Sequence, residues 1–248
     1  MTTVSPPQTV INSVIALYSN GQIQEALDSV ATLIKDYPDE PLLYNISGVC
    51  HKAAGRLDAA VKSFEKAVAL KPDYTEVNYN LGVTLKELGQ LDAAVKCYEK
   101  AVALKPDYTD AHYNLGNAFK ELGQLDDAVN SYKKAVALKS DHAIAHNNLG
   151  NTLSDLGQVD DAVNSYKKAV ALKPDYAEAH NNLGVTLKNL GQHEVAIKSY
   201  EKALALKPEF AEAHNNLGNA LKDLGQHEVA IKSYEKALAL KPEFAEAH

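Results

Sequence analysis

The 248 residues contain no tryptophan, one methionine and only two cysteines. Cys50 and Cys97 occupy different places in the pattern described below, so they make neither a metal pair nor a disulfide framework and read as small packing residues. There is no glycine, proline or serine tract and no block of like charge, which excludes a low-complexity linker or a charged tail. The net charge is −7 and the lysines are interleaved with acids, so the clustered basic face that binds phosphates is missing and no nucleic-acid partner is expected. No apolar run approaches the length that crosses a bilayer, and a membrane is not an expected partner. The opening "MTTVSPPQTVINSVIALY" has no basic segment and only a short, interrupted apolar run. A secretory signal is therefore not expected, and the predicted location is cytoplasmic.

Catalytic vocabulary is absent as well. There is no glycine loop to cradle phosphate and no Gly-x-Ser-x-Gly elbow, and "HEVAIKSY" at His193 and His227 lacks the second histidine of a metalloprotease helix. Carboxylates abound, but they fall at helix starts or on regular faces, where capping and solvation account for them. The sequence predicts no catalytic residue, no cofactor and no metal site.

What the sequence has is repetition. Gly48, Gly82, Gly116, Gly150, Gly184 and Gly218 recur every 34 residues, and Gly21, Ala26 and Pro38 keep the offsets of Gly55, Ala60 and Pro72, which adds a divergent first copy. The predicted units are 7–40, 41–74, 75–108, 109–142, 143–176, 177–210 and 211–244, after a tail at 1–6 and before the opening of an eighth unit at 245–248. Units six and seven differ only at Val185 against Asn219, Thr186 against Ala220 and Asn189 against Asp223, the mark of recent duplication.

Each unit reads as two helices. Asp73 with Glu76, Asp107 with Asp110 and Asp175 with Glu178 are spaced as capping boxes at the start of a first helix. The column Gly21, Gly55, Gly89, Gly123, Gly157, Gly191, Gly225 stands where a left-handed residue ends it. A second helix then opens with acids such as Asp92, Asp126 and Asp160, closes with Lys71, Lys105 and Lys173, and is stopped by prolines such as Pro72, Pro106 and Pro174. At about 100° per residue, Val77, Leu81, Thr84, Leu85 and Leu88 share one arc of the first helix, while Glu76, Tyr79, Asn80, Val83, Lys86 and Glu87 share another. The second helix buries Leu91, Ala94, Val95, Tyr98, Ala101, Val102 and Leu104. Two helices cannot cover both apolar stripes unaided, but stacked pairs can, so the sequence predicts an all-α solenoid.

"NLGVTLKELGQLDAAVKCYEKAVALKP" resembles the tetratricopeptide repeat (TPR), whose signature places correspond to Asn78, Leu81, Gly82, Leu85, Ala94, Tyr98, Ala101 and Pro106. The resemblance covers residues 7–244. It departs where the family has tryptophan, here Asn78, His112, His146, His180 and His214, and at Ser140 in place of proline, where a looser turn is expected over 139–142. The histidines are read as polar stand-ins for tryptophan, because a 34-residue spacing keeps them too far apart to share one zinc.

The resemblance implies a right-handed superhelix whose concave surface is lined by the first helix of each unit. On that surface fall Asn80, Asn114, Asn148, Asn182 and Asn216, with Asn12 in register and Ile46 breaking the row. This ladder resembles the one in the tetratricopeptide arm of O-linked N-acetylglucosamine transferases, which holds extended polypeptides. An asparagine amide donates and accepts, so it can hold a peptide backbone whatever its side chains. With helix pairs stacked roughly 8–10 Å apart and a strand advancing about 3.3 Å per residue, the five rungs would follow roughly 13–16 residues. The alternative is that each asparagine bonds to the neighbouring repeat or to water.

Lys86, Lys120, Lys188 and Lys222, with Lys52, form a second column, which either favours an acidic ligand or is a solvated mixed-charge face beside Glu87, Glu121, Asp155 and Asp223. Glu76, Asp110, Glu178 and Glu212 stand at a place where chaperone-binding relatives need a basic residue to clamp a terminal carboxylate, so such a clamp is not expected. Tyr79 and Tyr113 give way to Asn147, Asn181 and Asn215, and Val83 and Val185 alternate with Asn117, Asn151 and Asn219. Any side-chain selectivity should reside in these variations.

The sequence thus predicts a scaffold that binds an extended peptide or protein segment. Two alternatives stand beside it: the substrate-presenting arm of a larger, glycosyltransferase-like enzyme, and a self-assembling solenoid. Self-association is expected through the last repeat, where the surface around Ile231, Tyr234 and Leu238 should be bare.

Overall fold

The computed structural model describes residues 5–242, which form fourteen α-helices and no strand. The chain divides into two compact units, the first ending at Gln124 and the second beginning at Leu125. In the first unit lie α1 (Gln8–Ser19), α2 (Ile23–Asp36), α3 (Pro41–Ala53), α4 (Leu57–Leu70), α5 (Thr75–Glu87), α6 (Leu91–Leu104) and α7 (Thr109–Glu121). The second holds α8 (Leu125–Leu138), α9 (Ala143–Asp155), α10 (Val159–Leu172), α11 (Ala177–Asn189), α12 (His193–Leu206), α13 (Ala211–Asp223) and α14 (His227–Leu240). Within each unit a helix packs against its neighbours in sequence, and α3 also touches α5, α5 touches α7, α9 touches α11 and α11 touches α13. Residues 243–248, including the predicted opening of an eighth repeat, lie outside the described residues, as do residues 1–4.

Local chemistry sets the helix ends. The glycine column has φ between 71° and 78° throughout. At Gly89 this left-handed turn lets the Gly89 N–H reach Lys86 O and the Gln90 N–H reach Leu85 O, both at 2.9 Å, so the last carbonyls of α5 are satisfied. The second helices α4, α6, α10, α12 and α14 end on a lysine in extended geometry before the loop. Lys105 has φ −135° and ψ 89° because Pro106 disfavours helical backbone in the residue before it. Lys105 Nζ then lies 5.1 Å from the Tyr108 ring centroid.

The capping boxes do not form. The residue flanking α5 is Tyr74, not Asp73, and it makes no side-chain cap bond; Tyr108 and Tyr176 likewise flank α7 and α11. The aromatic ring takes the loop position beside the lysine, which moves the helix start on by one residue and leaves the acids in the first turn. There the Glu178 carboxylate accepts from its own backbone N–H and from Lys207, which holds its pKa below the usual carboxylate value. The loop at Ser140 keeps the turn bond of its siblings: His142 N–H to Lys139 O is 3.3 Å, against 3.1 Å for Tyr108 to Lys105 and Tyr176 to Lys173.

One close approach of a glycine to an aromatic ring recurs in the helix pairs that carry both residues within one unit. Gly82 lies against Tyr98, where an added Cβ would come within 2.8 Å of the ring; at Gly48 against Phe64 the distance would be 2.5 Å, and at Gly184 against Tyr200 it would be 2.6 Å. Tyr98, Tyr132, Tyr200 and Phe64 are fully buried, as are Ala94, Ala101 and their equivalents. One buried leucine such as Leu187 contributes about 1.5–3 kcal/mol. No single helix pair buries both of its stripes, so this apolar contact between pairs is what stabilises each unit.

Candidate functional site

The first helix of each pair carries the predicted columns. Residues 79, 80, 83 and 86 of α5 and the matching residues 113, 114, 117 and 120 of α7 are all half-buried. In the first unit, Asn114 Nδ2 donates to the Tyr79 hydroxyl at 2.9 Å. Tyr79 is packed as well as presented, its ring centroid 4.9 Å from that of Tyr108 and 6.0 Å from that of Tyr98. Burial pushes its phenol pKa up, and for Tyr108 the value reaches about 12. These phenols stay neutral hydrogen-bonding groups.

In the second unit the same register recurs with amides in place of the phenol. Asn182 Nδ2 donates to Asn147 Oδ1 at 3.2 Å and to Asn151 Oδ1 at 3.1 Å. Asn216 Nδ2 donates to Asn181 Oδ1 at 3.1 Å. Asn182 and Asn216 are therefore bonded to the preceding repeat at an offset of 35 residues, as Asn114 is to Tyr79, whereas Asn45 Oδ1, the atom 35 residues before Asn80, is buried without a partner. Asn147 and Asn181 are 5% and 7% exposed, so they are buried acceptors that hold the rungs and not the variable groove surface their positions suggested. Tyr113, Lys120 and Asn148 have partners of their own.

The lysine column is paired across repeats. Lys52 meets Glu87 at 2.9 Å, Lys86 meets Glu121 at 2.6 Å and Lys188 meets Asp223 at 3.4 Å, while Lys222 is exposed. Each of these ion pairs joins one repeat to the acid of the next. The members remain partly exposed, so each pair stabilises by only about 0–1 kcal/mol.

One pairing went unread in the sequence. Tyr166 OH donates to Asn151 Oδ1 at 2.7 Å and Tyr234 OH to Asn219 Oδ1 at 2.8 Å. Where valine stands 15 residues earlier, as Val83 and Val185 do, the buried hydroxyls of Tyr98 and Tyr200 have no partner. Phe64, after Val49, has no hydroxyl to satisfy. Reading the two columns against each other would have exposed this relation.

The histidine column has a local task. Nε2 of His112, His146, His180 and His214 bonds to the carbonyl six residues earlier, at Pro106, Ser140, Pro174 and Pro208, over 3.0–3.1 Å. Asn78 does the same with Nδ2, 3.3 Å from Pro72 O. Because the carbonyl accepts, Nε2 carries the proton in the neutral ring. Burial lowers the pKa of His146 and His180. Burial also pushes the Cys97 thiol up to about 11, which keeps it protonated and poorly nucleophilic. Among the described residues no group of three or more His, Cys, Asp or Glu side chains is placed to hold a metal, and no helix is long and apolar enough to cross a membrane.

A family model described as TPR repeat matches residues 51–89, 84–123, 116–157, 150–191 and 187–225, and one described as Tetratricopeptide repeat matches residues 211–244. A crystal structure of MamA is 30% identical with a TM-score of 0.64, covering 67% of this chain and 97% of its own. That of YrrB, described as a TPR protein with an unusual peptide-binding site, has a TM-score of 0.69 at 23% identity over 74% of this chain and 95% of its own. The C-terminal part of a TPR repeat-containing protein from Cytophaga hutchinsonii reaches a TM-score of 0.75 at 20% identity, covering 93% of this chain and 95% of its own. The last two likenesses are of fold alone. A peroxisomal targeting signal receptor from Kluyveromyces lactis is 27% identical over 75 residues, 30% of this chain but only 13% of the receptor. Helix pairs at a 34-residue period, closed by left-handed glycines and glycine–aromatic contacts, thus coincide with the stretches that the repeat models match, and the chain belongs to the tetratricopeptide-repeat family.

Proposed function

We propose that this chain is a protein–protein interaction scaffold that holds an extended peptide along the faces carrying Asn80 and Asn114 in the first unit and Asn148, Asn182 and Asn216 in the second. The observation that carries the reading is the fixing of three of the five rungs. Asn114, Asn182 and Asn216 each bond back to the residue 35 places earlier, so their amides are held before any ligand arrives. A held amide loses less side-chain entropy on binding than a free one, which favours its use as a contact. Among the described residues neither Asn182 nor Asn216 has a donor at its Oδ1, so each retains an acceptor for a peptide N–H. The peptide-binding site ascribed to YrrB is consistent with such a use but belongs to that protein.

The test is capture of 15-residue peptides selected by display on the wild-type protein. Replacing Asn114, Asn148 and Asn182 together by alanine should weaken binding at least tenfold in fluorescence anisotropy. Since these amides also bridge repeats, the variant should melt earlier, so helicity must be confirmed at the assay temperature. A folded triple variant with unaltered affinity rejects the ladder as the site.

A further inference from the structure

The rungs of the second unit are not chemically alike. A primary amide has two N–H donors and one oxygen acceptor. At Asn182 both hydrogens are engaged, one with Asn147 Oδ1 and one with Asn151 Oδ1. The Asn151 oxygen also accepts from Tyr166 OH at 2.7 Å, so its two lone pairs are filled. Turning the Asn182 amide over would set its oxygen against two other oxygens and leave the buried Asn147 acceptor without a donor, so the bonded orientation is the favoured one. At Asn216 one hydrogen goes to Asn181 Oδ1. The residue 31 places earlier, which is Asn151 for Asn182, is here Val185. Valine accepts nothing, so the second N–H of Asn216 has no counterpart of that bond.

We infer that the residue at 151 or 185 sets what the next rung offers a bound chain: behind Asn151, Asn182 offers only its Oδ1 and meets a peptide N–H, whereas behind Val185, Asn216 keeps an N–H and can hold both the N–H and the C=O of one extended ligand residue. This rests on the peptide-groove reading and deepens it. The ligand residue facing Asn182 must carry an N–H and is therefore not proline. The residue facing Asn216 is gripped at both backbone groups. The alternation of asparagine and valine along the first helices thereby writes a backbone-level code without touching a ligand side chain.

The experiment takes one display-selected peptide and replaces each of its amide N–H groups in turn by an ester oxygen. Such a swap deletes the N–H of one residue and weakens the carbonyl of the residue before it. Coupling to a rung is read by repeating the scan on Asn182→Ala and Asn216→Ala. Should alanine unfold the repeat, Asn182→Ile serves instead, since Ile46 holds that place in the second repeat. In the wild-type protein, Asn182 should couple to a single ester position, with a loss of roughly twofold to tenfold, and Asn216 to two adjacent positions. Asn151→Val should raise the first count to two, and Val185→Asn should lower the second to one. Both variants copy a residue that sibling repeats carry at that place, which favours their folding. If Asn182→Ala leaves the affinity unchanged, the groove reading fails and the inference with it. If Asn182 matters but couples to two adjacent positions from the start, or the swaps leave the counts as they were, the groove reading survives and the inference is overturned.

Discussion

At the scale of single residues, the tyrosines behind the ladder offer a matched comparison within one chain. The Tyr166 hydroxyl is bonded to Asn151, whereas that of Tyr200 is buried with no partner beside Val185. A buried polar group without a bond costs about 1–3 kcal/mol, and a made bond contributes about 0.5–1.5 kcal/mol. Tyr200→Phe should therefore raise stability or leave it unchanged, while Tyr166→Phe should lower it, and urea unfolding should separate the two variants by at least about 1 kcal/mol. Equal losses in both would mean that an ordered water or a small shift already satisfies Tyr200. Phe64 shows that the fold accepts phenylalanine at this place. The sequence displayed both columns at fixed spacing, so the residues were legible. Their hydrogen bonds were not, because the partner of each hydroxyl is chosen by how two helices pack and not by local propensity.

At the scale of the helix and its turn, two glycines of one repeat should fail for different reasons. Gly184→Ala drives a methyl to within 2.6 Å of the Tyr200 ring and should cost about 1–3 kcal/mol by overpacking. Gly191→Ala meets nothing within 4 Å but has φ 73°, and should cost about 1–2 kcal/mol through backbone strain alone. Trimming the ring with Tyr200→Leu should relieve part of the first cost and none of the second, a contrast that double-mutant unfolding measures.

The histidine turns add a pH dependence of definite sign. Burial holds His146 and His180 below the ordinary value of 6.5, with Lys168 and His142 adding to this at His146 and Lys202 at His180, against the opposing bonds to Ser140 and Pro174. Below pH 6.5 the unfolded chain binds protons that the folded chain refuses. Their contribution is therefore fully present above that pH and declines as the pH falls beneath it. His146→Asn with His180→Asn, which copies Asn78, should flatten the dependence of the unfolding midpoint on pH just below 6.5. An unchanged slope would move the cause elsewhere. Helix bounds and turn glycines were legible because they are local. The failed capping boxes were not, because an aromatic ring packed on a lysine displaced the expected aspartate from the cap.

At the scale of the whole molecule, repetition supplies an internal control. The helices α12 and α14 share the sequence HEVAIKSYEKALAL, so their intrinsic propensities are equal and any difference in protection is tertiary. Helix α12 lies between α11 and α13, whereas α14 is covered by α13 alone among the described residues. Tyr200 is fully buried in α12, and Ile197 and Leu204 there are half-buried, but in α14 their counterparts Ile231 and Leu238 are 55% and 37% exposed. In a stack where each pair leans only on its neighbours, local opening is easiest where one neighbour is missing. Amide exchange in dilute solution should thus be at least tenfold faster in α14 than at the matching positions of α12. Raising the protein concentration separates two origins of any protection that α14 does show. Exchange that slows with concentration would mean that a second molecule covers Ile231 and Leu238, the self-association expected from the bare face. Protection equal to that of α12 at every concentration would instead require cover from within the chain, and would remove the ground for expecting assembly through this end.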